Sequence, residues 1–352
     1  MTEPAEHVER PISVPVATGL TEDDQDRLPG PPPLAWGVIG ATSQVAQLAV
    51  LPALAASPKC RLVAVGSQSR GGDEYDRHGA ERAYRTYDEV LANPDVEAVY
   101  IPLPNSLHPE WTIRAAAAGK HVLCEKPLAS TAAEAETMAA ACAKAGVALM
   151  EAYMTPFHPR STMLHDTLRS GRLGPLRFAR TAFTGVLQRP DDHRWRPEMG
   201  GGALLDVGIY CLAPLLAAAG RLPTAVSAAA TMTGSGVDSS CAGWLDFGDG
   251  FSAGFECSFD TPERQIVEVV GTDAAITVER SFTPGLPDTE ITVLHRDGRR
   301  EVLTSQPGEA YRGMVDHFAT VIRGGDRLRR TPAQSIELLG LLDRIRVAAG
   351  MS

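Results

Sequence analysis

A chain of 352 residues with 44% hydrophobic and 22% charged side chains has the composition of a globular protein of about two domains. Its formal net charge of -10 argues against a phosphate-backbone partner, so no nucleic acid is expected. No continuous apolar run reaches the roughly 20 residues of a membrane span, so no membrane partner is expected either.

The six cysteines, Cys60, Cys124, Cys142, Cys211, Cys241 and Cys257, lack the paired spacing of a zinc site. They read as buried reduced thiols of a cytoplasmic protein, and no metal is expected. Residues 1–33 show no periodicity and end in the stiff run Leu28-Pro29-Gly30-Pro31-Pro32-Pro33, so they read as an extension outside the catalytic part.

Leu34 to Ile39 reads as the first strand, and Gly40-Ala41-Thr42-Ser43-Gln44-Val45 opens a helix running to about Ala56. A turn of this kind places phosphate against the free N–H groups of a helix N-terminus. Only Gly40 of the usual glycine trio is present, but the small residues at 41 to 43 still allow close backbone approach. The second strand, Arg61 to Gly66, leads into Ser67, Ser69 and Arg70. An acid here would accept from a ribose 2′-hydroxyl, whereas hydroxyls and a guanidinium suit a 2′-phosphate.

Glu74 to Ala80 reads as a short helix, Tyr84 to Thr86 lies near a third strand, and Tyr87 to Leu91 is helical. Ala98 to Ile101 is a buried strand ended by Pro102 and Pro104, neither of which can donate to a ladder. An alanine-rich helix from Leu107 to Ala118 stops at Gly119, and His121 to Cys124 is the next strand. Glu125-Lys126-Pro127 therefore sits at a carboxyl edge, where open parallel sheets bind ligands. Helix Thr131 to Ala145, capped by Gly146, and strand Val147 to Met150 complete the array. This alternation implies an α/β fold with an N-terminal Rossmann doubly wound parallel sheet over residues 34–151.

Residues 152–352 read as a C-terminal α+β domain for substrate binding and oligomerisation, with a large, mainly antiparallel open sheet. Helices are expected at Pro159 to Gly171, Ala203 to Ala219, Gly308 to Ile322 and Pro332 to Ala349. Strands are expected at Leu176 to Gly185, Val226 to Thr233, Ser240 to Phe247, Phe251 to Phe259, Gln265 to Val270, Ala275 to Val278 and Glu290 to His295. One sheet face lacks helices of its own, and a homodimer or homotetramer is expected through it. The charged stretch Arg296 to Glu301 reads as solvated surface.

Lys126 is the first catalytic candidate, because a lysine at that edge can bond a carbonyl oxygen and move a proton. Asp206 and Tyr210 stand four residues apart on a predicted helix and share one face with it.

Three motifs carry a resemblance: Pro102-Leu103-Pro104-Asn105-Ser106-Leu107-His108, Glu125-Lys126-Pro127, and Gly200-Gly201-Gly202-Ala203-Leu204-Leu205-Asp206-Val207-Gly208-Ile209-Tyr210. Together they resemble the Gfo/Idh/MocA family of nicotinamide-dependent oxidoreductases, from about residue 34 onward. The resemblance implies hydride transfer between nicotinamide and a carbonyl or secondary alcohol of a sugar-like small molecule. NADP is favoured over NAD by the residues after the second strand. Tyr210 would donate the proton, Lys126 would orient it, and Asp206 would hold the geometry or a sugar hydroxyl. Cofactor contacts are implied for Gly40, Thr42, Ser43, Gln44, Val45, Ser67, Ser69, Arg70, Leu103, Asn105, His108, Glu125, Lys126, Trp195 and Arg196. Tyr153, His158 and Tyr311 join Lys126, Asp206 and Tyr210 as substrate-pocket candidates. The tyrosine at 210 resembles the branch that holds keto-sugar reductases, which makes reduction of a keto-sugar, free or nucleotide-linked, the narrower expectation. Aldose and trans-dihydrodiol dehydrogenases are alternatives, as are two other classes, an NAD-retaining glycosidase and a non-catalytic cofactor sensor.

Overall fold

A computed structural model describes residues 30–68 and 78–351. Pro33–Ser352 forms one compact unit built on two sheets. The first sheet is six-stranded: β1 (Leu34–Ile39), β2 (Cys60–Gly66), β3 (Arg82–Tyr84), β4 (Ala98–Ile101), β5 (His121–Cys124) and β6 (Leu149–Glu151). The order is β3-β2-β1-β4-β5-β6, with every neighbour parallel. β1 and β4 are buried along their whole length, as strands covered on both faces must be. The chain reverses its winding direction between these two strands, and a crevice opens beyond their carboxyl ends.

Local chemistry accounts for the helix starts. Thr86 and Thr131 cap the helices Tyr87–Ala92 and Ala132–Ala145 through capping boxes with Glu89 and Glu134. Gly146 ends the second of them in the left-handed conformation. Residues 74–77 of the expected helix over 74–80 lie outside the described residues, as do residues 1–29.

The second sheet is eight-stranded, in the order β14-β13-β12-β11-β7-β10-β9-β8. These are β7 (Leu176–Val186), β8 (Ala225–Met232), β9 (Asp238–Gly248), β10 (Phe251–Ser258), β11 (Asp260–Gly271), β12 (Ala274–Glu279), β13 (Glu290–His295) and β14 (Arg300–Thr304). β7 and β10 pair in parallel and the other neighbours are antiparallel. β10 shows how the faces divide: Phe251, Ala253, Phe255 and Cys257 are buried, while Ser252, Gly254 and Glu256 look outward. On the outward face Trp244, Leu294 and Val302 are each about half exposed, at 45%, 51% and 47%.

One strand was not expected: Arg300–Thr304, which begins inside the charged stretch Arg296 to Glu301, is an edge strand whose alternation is masked by its arginine and glutamate. The segment Pro197–Ala219 is long and apolar enough by composition to cross a bilayer, with a mean hydropathy of 1.8 over its most apolar window, but Gly200 and Gly202 interrupt it and the continuous helix begins after them. Its apolarity has a local cause, because Leu204, Leu205, Ile209, Cys211, Leu212 and Leu215 pack into the core against the second sheet. All six cysteines are buried and unpaired.

Candidate active site

The crevice at the β1–β4 reversal has a volume of about 650 Å3. Its walls come from the turn after β1 (Gly40, Thr42 to Val45), the loop after β4 (Pro102 to Asn105) and the end of β5 (Glu125, Lys126). The second half of the chain adds Phe183, Arg189, Asp192 to Arg194, Asp206, Val207, Tyr210 and Tyr311.

The β1 turn is shaped for close backbone approach. Gly40 has φ +95°, and a Cβ there would lie 2.6 Å from Leu103 Cδ2. The N–H groups of Gly40 and Ala41 donate to the Gly66 carbonyl at 3.0 and 3.1 Å, fixing the turn to the end of β2. Helix follows from Gln44, so backbone N–H groups at its start face the crevice. A dinucleotide phosphate fits this turn, with Gly40 and residues 42–45 as the holding backbone.

At the other end a chain of charges closes the site. Lys126 Nζ donates to Asp206 Oδ1 at 2.6 Å and to the Asp206 carbonyl at 3.0 Å. Asp206 Oδ2 accepts from Arg194 Nε at 2.8 Å, and Arg194 Nη1 reaches both Asp192 oxygens at 3.2 and 3.3 Å. Asp206 lies in a π turn, Leu204–Gly208, where the hydrogen-bond ladder is out of step with the α pattern. Burial alone would raise the Asp206 carboxyl, but Lys126 and then Arg194 outweigh it and hold the group well below its ordinary range. Glu125 shows the opposite balance. Burial raises its carboxyl, Lys126 offsets part of that, and its Oε1 accepts from Tyr100 Oη at 2.6 Å.

Tyr210 is buried on the same wall. Its ring packs on Phe183, Tyr153 and Phe282 at centroid distances of 5.2, 5.3 and 5.9 Å. Lys126 Nζ sits 5.1 Å from the ring centroid, over its face rather than at its hydroxyl. The hydroxyl donates to Met154 Sδ at 3.7 Å, a weak acceptor. Burial pushes the phenol well above its ordinary value, so Tyr210 is neutral and carries its proton at physiological pH.

Of the expected residues, Gly40, Thr42, Ser43, Gln44, Val45, Leu103, Asn105, Glu125, Lys126, Asp206, Tyr210 and Tyr311 all line the crevice. Asn105 also donates to the Gly200 carbonyl at 2.8 Å, tying the β4 loop to the glycine run. Ser67 is buried one layer behind, with its hydroxyl 3.4 Å from that of Thr42. Ser69 and Arg70 lie outside the described residues.

Besides Ser67, five expected contacts do not line it. His108 is fully buried, and its ring nitrogens lie 2.9 Å from the Pro127 carbonyl and 2.8 Å from that of Leu103, so it holds two crevice loops together from behind. His158 is fully buried and caps the helix Pro159–Arg169 through the Arg160 N–H. Tyr153 stands behind the Tyr210 ring. Trp195 packs on Phe259 outside the crevice, and Arg196 offers backbone rather than side chain. The residues of that segment that line the crevice are Asp192, His193 and Arg194, which the sequence reading passed over.

Arg194 is placed by the glycine run, because the Gly202 N–H donates to the Arg194 carbonyl at 2.9 Å and the Gly201 N–H to Arg196 at 3.1 Å. Gly202 has φ +111°, and a Cβ there would collide with Asp238 Oδ1, whose partner oxygen accepts from the Leu204 N–H at 2.7 Å. Gly202→Ala is therefore expected to destabilise the protein by about 1–3 kcal/mol from backbone strain alone. A thermal melt reads this as a lowered midpoint, and an unchanged midpoint would contradict the assignment.

Residues 34–153 match the family model described as "Oxidoreductase family, NAD-binding Rossmann fold", and residues 162–277 match the Gfo/Idh/MocA C-terminal domain. The chain belongs to the Gfo/Idh/MocA family. It is 34% identical to D-xylose 1-dehydrogenase (NADP(+)) 2 of Haloferax volcanii, over 90% of this chain and 97% of that one. It is 36% identical to a dTDP-3,4-didehydro-2,6-dideoxy-alpha-D-glucose 3-reductase of Saccharopolyspora spinosa, over 83% and 89%. A solved 3-ketoreductase of Actinomadura kijaniata, in complex with NADP and TDP-benzene, superposes with a TM-score of 0.82 at 30% identity, covering 90% of this chain and 98% of the other. As a Gfo/Idh/MocA member the protein is an NAD(P)-dependent oxidoreductase, and the two-sheet architecture is that of the family.

Proposed function

We propose that this Gfo/Idh/MocA protein is an NADP-preferring reductase of a keto-sugar, free or nucleotide-linked, with Lys126, Asp206 and Tyr210 at the reacting centre. The observation that carries the reading is the Lys126–Asp206–Arg194 chain of charges beside the Tyr210 ring, in the crevice that also holds the phosphate turn. NADP is supported by Ser67, at the end of β2, where an NAD site commonly places an acid. The relatives named above, which work with NADP or on nucleotide-linked keto-sugars, support it further.

When bound, the reduced cofactor supplies hydride. The protein's part is positional and protolytic. Asp206 fixes Lys126 in place, so its ammonium polarises a substrate carbonyl oxygen placed between it and Tyr210. The Tyr210 hydroxyl leaves Met154 Sδ for the stronger acceptor and delivers its proton there. Arg194 and Asp192 hold Asp206 from the far side. Oxidation of an aldose by the same groups in reverse is the second reading, favoured by the similarity to the xylose enzyme. In either direction the outward face of the second sheet meets a second copy of the chain through Trp244, Leu294 and Val302.

The test is NADPH consumption across free and nucleotide-linked keto-sugars, with NADP reduction across aldoses, for wild type and Tyr210→Phe. The phenylalanine variant is expected to lose about 100-fold or more in kcat with little change in cofactor affinity. Equal rates on the best substrate would remove Tyr210 from the mechanism, and turnover of aldoses alone would favour the second reading.

A further inference from the structure

A second cavity, of about 210 Å3, lies behind Tyr210 and apart from the crevice. It sits between the helices Pro159–Arg169 and Ile209–Ala219 and the start of the helix Pro332–Ala348, above β11 and β12. At roughly 30 Å3 per water it holds about seven waters' volume, less than the roughly 300–1,000 Å3 of a drug-sized pocket. Leu164, Leu168, Ala213, Pro214, Val267 and Phe282 give it apolar walls.

Against those walls stand three guanidiniums, of Arg160, Arg329 and Arg330. Arg160 and Arg330 are 4% and 9% exposed. Arg160 donates to the Arg280 carbonyl at 2.6 Å, and the carboxylate that acts on it most is Asp288. Arg330 Nε donates to Glu151 Oε2 at 2.8 Å. Its Nη2 lies 2.8 Å from that same oxygen but off the line of its N–H bonds, and it is buried without a hydrogen bond. Glu151 has little left to offer, because it also accepts from the Leu128 N–H and the Ser335 hydroxyl at 2.9 and 2.8 Å. The cavity is therefore lined by three cations, of which Arg329 is exposed, against two nearby carboxylates, Glu151 and Asp288, neither of which lines it. A carboxylate matches a guanidinium edge and tolerates apolar neighbours if its body is apolar.

The cavity also touches the catalytic wall. Tyr153 and Phe282 line it and pack directly on the Tyr210 ring. The Arg330 guanidinium lies over the far side of Tyr153, 5.5 Å from its ring centroid. Pro214 lines it too, and having no N–H it leaves the Tyr210 carbonyl without its usual donor four residues on.

We propose that this cavity is a second ligand site, for a small monocarboxylate with a compact apolar body, and that its occupant changes turnover through Tyr153, Phe282 and Tyr210. The site does not depend on which sugar the crevice accepts.

The experiment uses the full chain saturated with NADPH, with benzoate and 3-methylbutanoate as probes and benzamide as the neutral control. Binding is followed by ligand-observed NMR and by thermal melting. At least one carboxylate is expected to bind and raise the melting midpoint, and benzamide is not. Ala213→Leu, which fills the cavity from one helix, is expected to abolish that binding and leave NADPH affinity unchanged. Ser161→Leu fills it from the other helix and serves if the first variant does not fold. Bound carboxylate is expected to change kcat by about fivefold or more, a typical size for coupling between sites. No binding by either carboxylate, equal binding of benzamide, binding that survives both filling variants, or competition with NADPH would each overturn the site. Binding with unchanged kcat would overturn the coupling.

Discussion

With Lys126 replaced by methionine, kcat/KM on the best carbonyl substrate is expected to fall by about 10²- to 10³-fold, the range for a lost donor to a developing oxyanion. Methionine keeps most of the length and apolar stem of lysine and removes only the ammonium. Asp206 keeps its bond to Arg194 at 2.8 Å, so the carboxylate is not stranded and the fold should hold. The side chain is nearly buried at the β5 edge, where bulk water cannot easily stand in for it. NADPH affinity, followed by quenching of intrinsic fluorescence, is expected to change little, because the phosphate turn after β1 is built from other residues. Turnover at the wild-type rate with the cofactor bound would take Lys126 out of the chemistry. Loss of cofactor binding in step with turnover would give it a binding role instead.

Asp206→Asn attacks the same centre from the other side, and here stability should suffer as well. The side chains of Asp206 and Lys126 are 14% and 13% exposed, and Asp206 answers two cations. Removing one partner of a buried pair costs about 3–5 kcal/mol. Arg194 retains Asp192, so the loss falls chiefly on Lys126. The sign of the pH dependence follows from the depressed carboxyl. A group whose folded pKa lies below its unfolded value stabilises the protein above the unfolded value, here the ordinary 3.8 of aspartate, and loses that effect as pH falls through the folded value. The gap in unfolding free energy between wild type and Asp206→Asn should thus be constant from neutral pH down to about 5 and close only in stronger acid. Denaturant melts at pH 7 and pH 5 check this, and a gap that shrinks between those two would show that Asp206 is not held by its cations.

The parts of the fold that were legible in the sequence were those with a local cause. Pro102 and Pro104 end β4 because they have no N–H to give, and Gly146 ends a helix because it takes a left-handed turn at φ +68°. Lys126, Asp206 and Tyr210 were legible because a strand end and a four-residue spacing are short-range facts. What failed was orientation and depth. His108 and His158 are polar side chains that look ready for a ligand in a string of letters, yet both are buried, and His108 spends both ring nitrogens and His158 its Nδ1 on backbone groups. Trp195 and Arg196 sit next to the residues that line the crevice, and a short 3-10 turn over His193–Trp195 decides which of them points inward. The signal for Arg194 was present in Asp192, whose side chain accepts from the Arg194 N–H at 3.0 Å and starts that turn. Arg300–Thr304 was passed over as a strand because edge strands tolerate charge. The contact of Tyr210 with Met154, 56 positions away, had no local signature at all.

The partner that fixes Lys126 comes from 80 residues further along the chain. The parallel sheet and the turn that receives phosphate come from the residues up to β6, yet the end of the chain packs on them, as Phe318 does on Trp36 and Arg330 on Glu151. Phosphate turn and lysine thus come from the early half of one polypeptide, and the aspartate that completes the reacting centre comes from the late half.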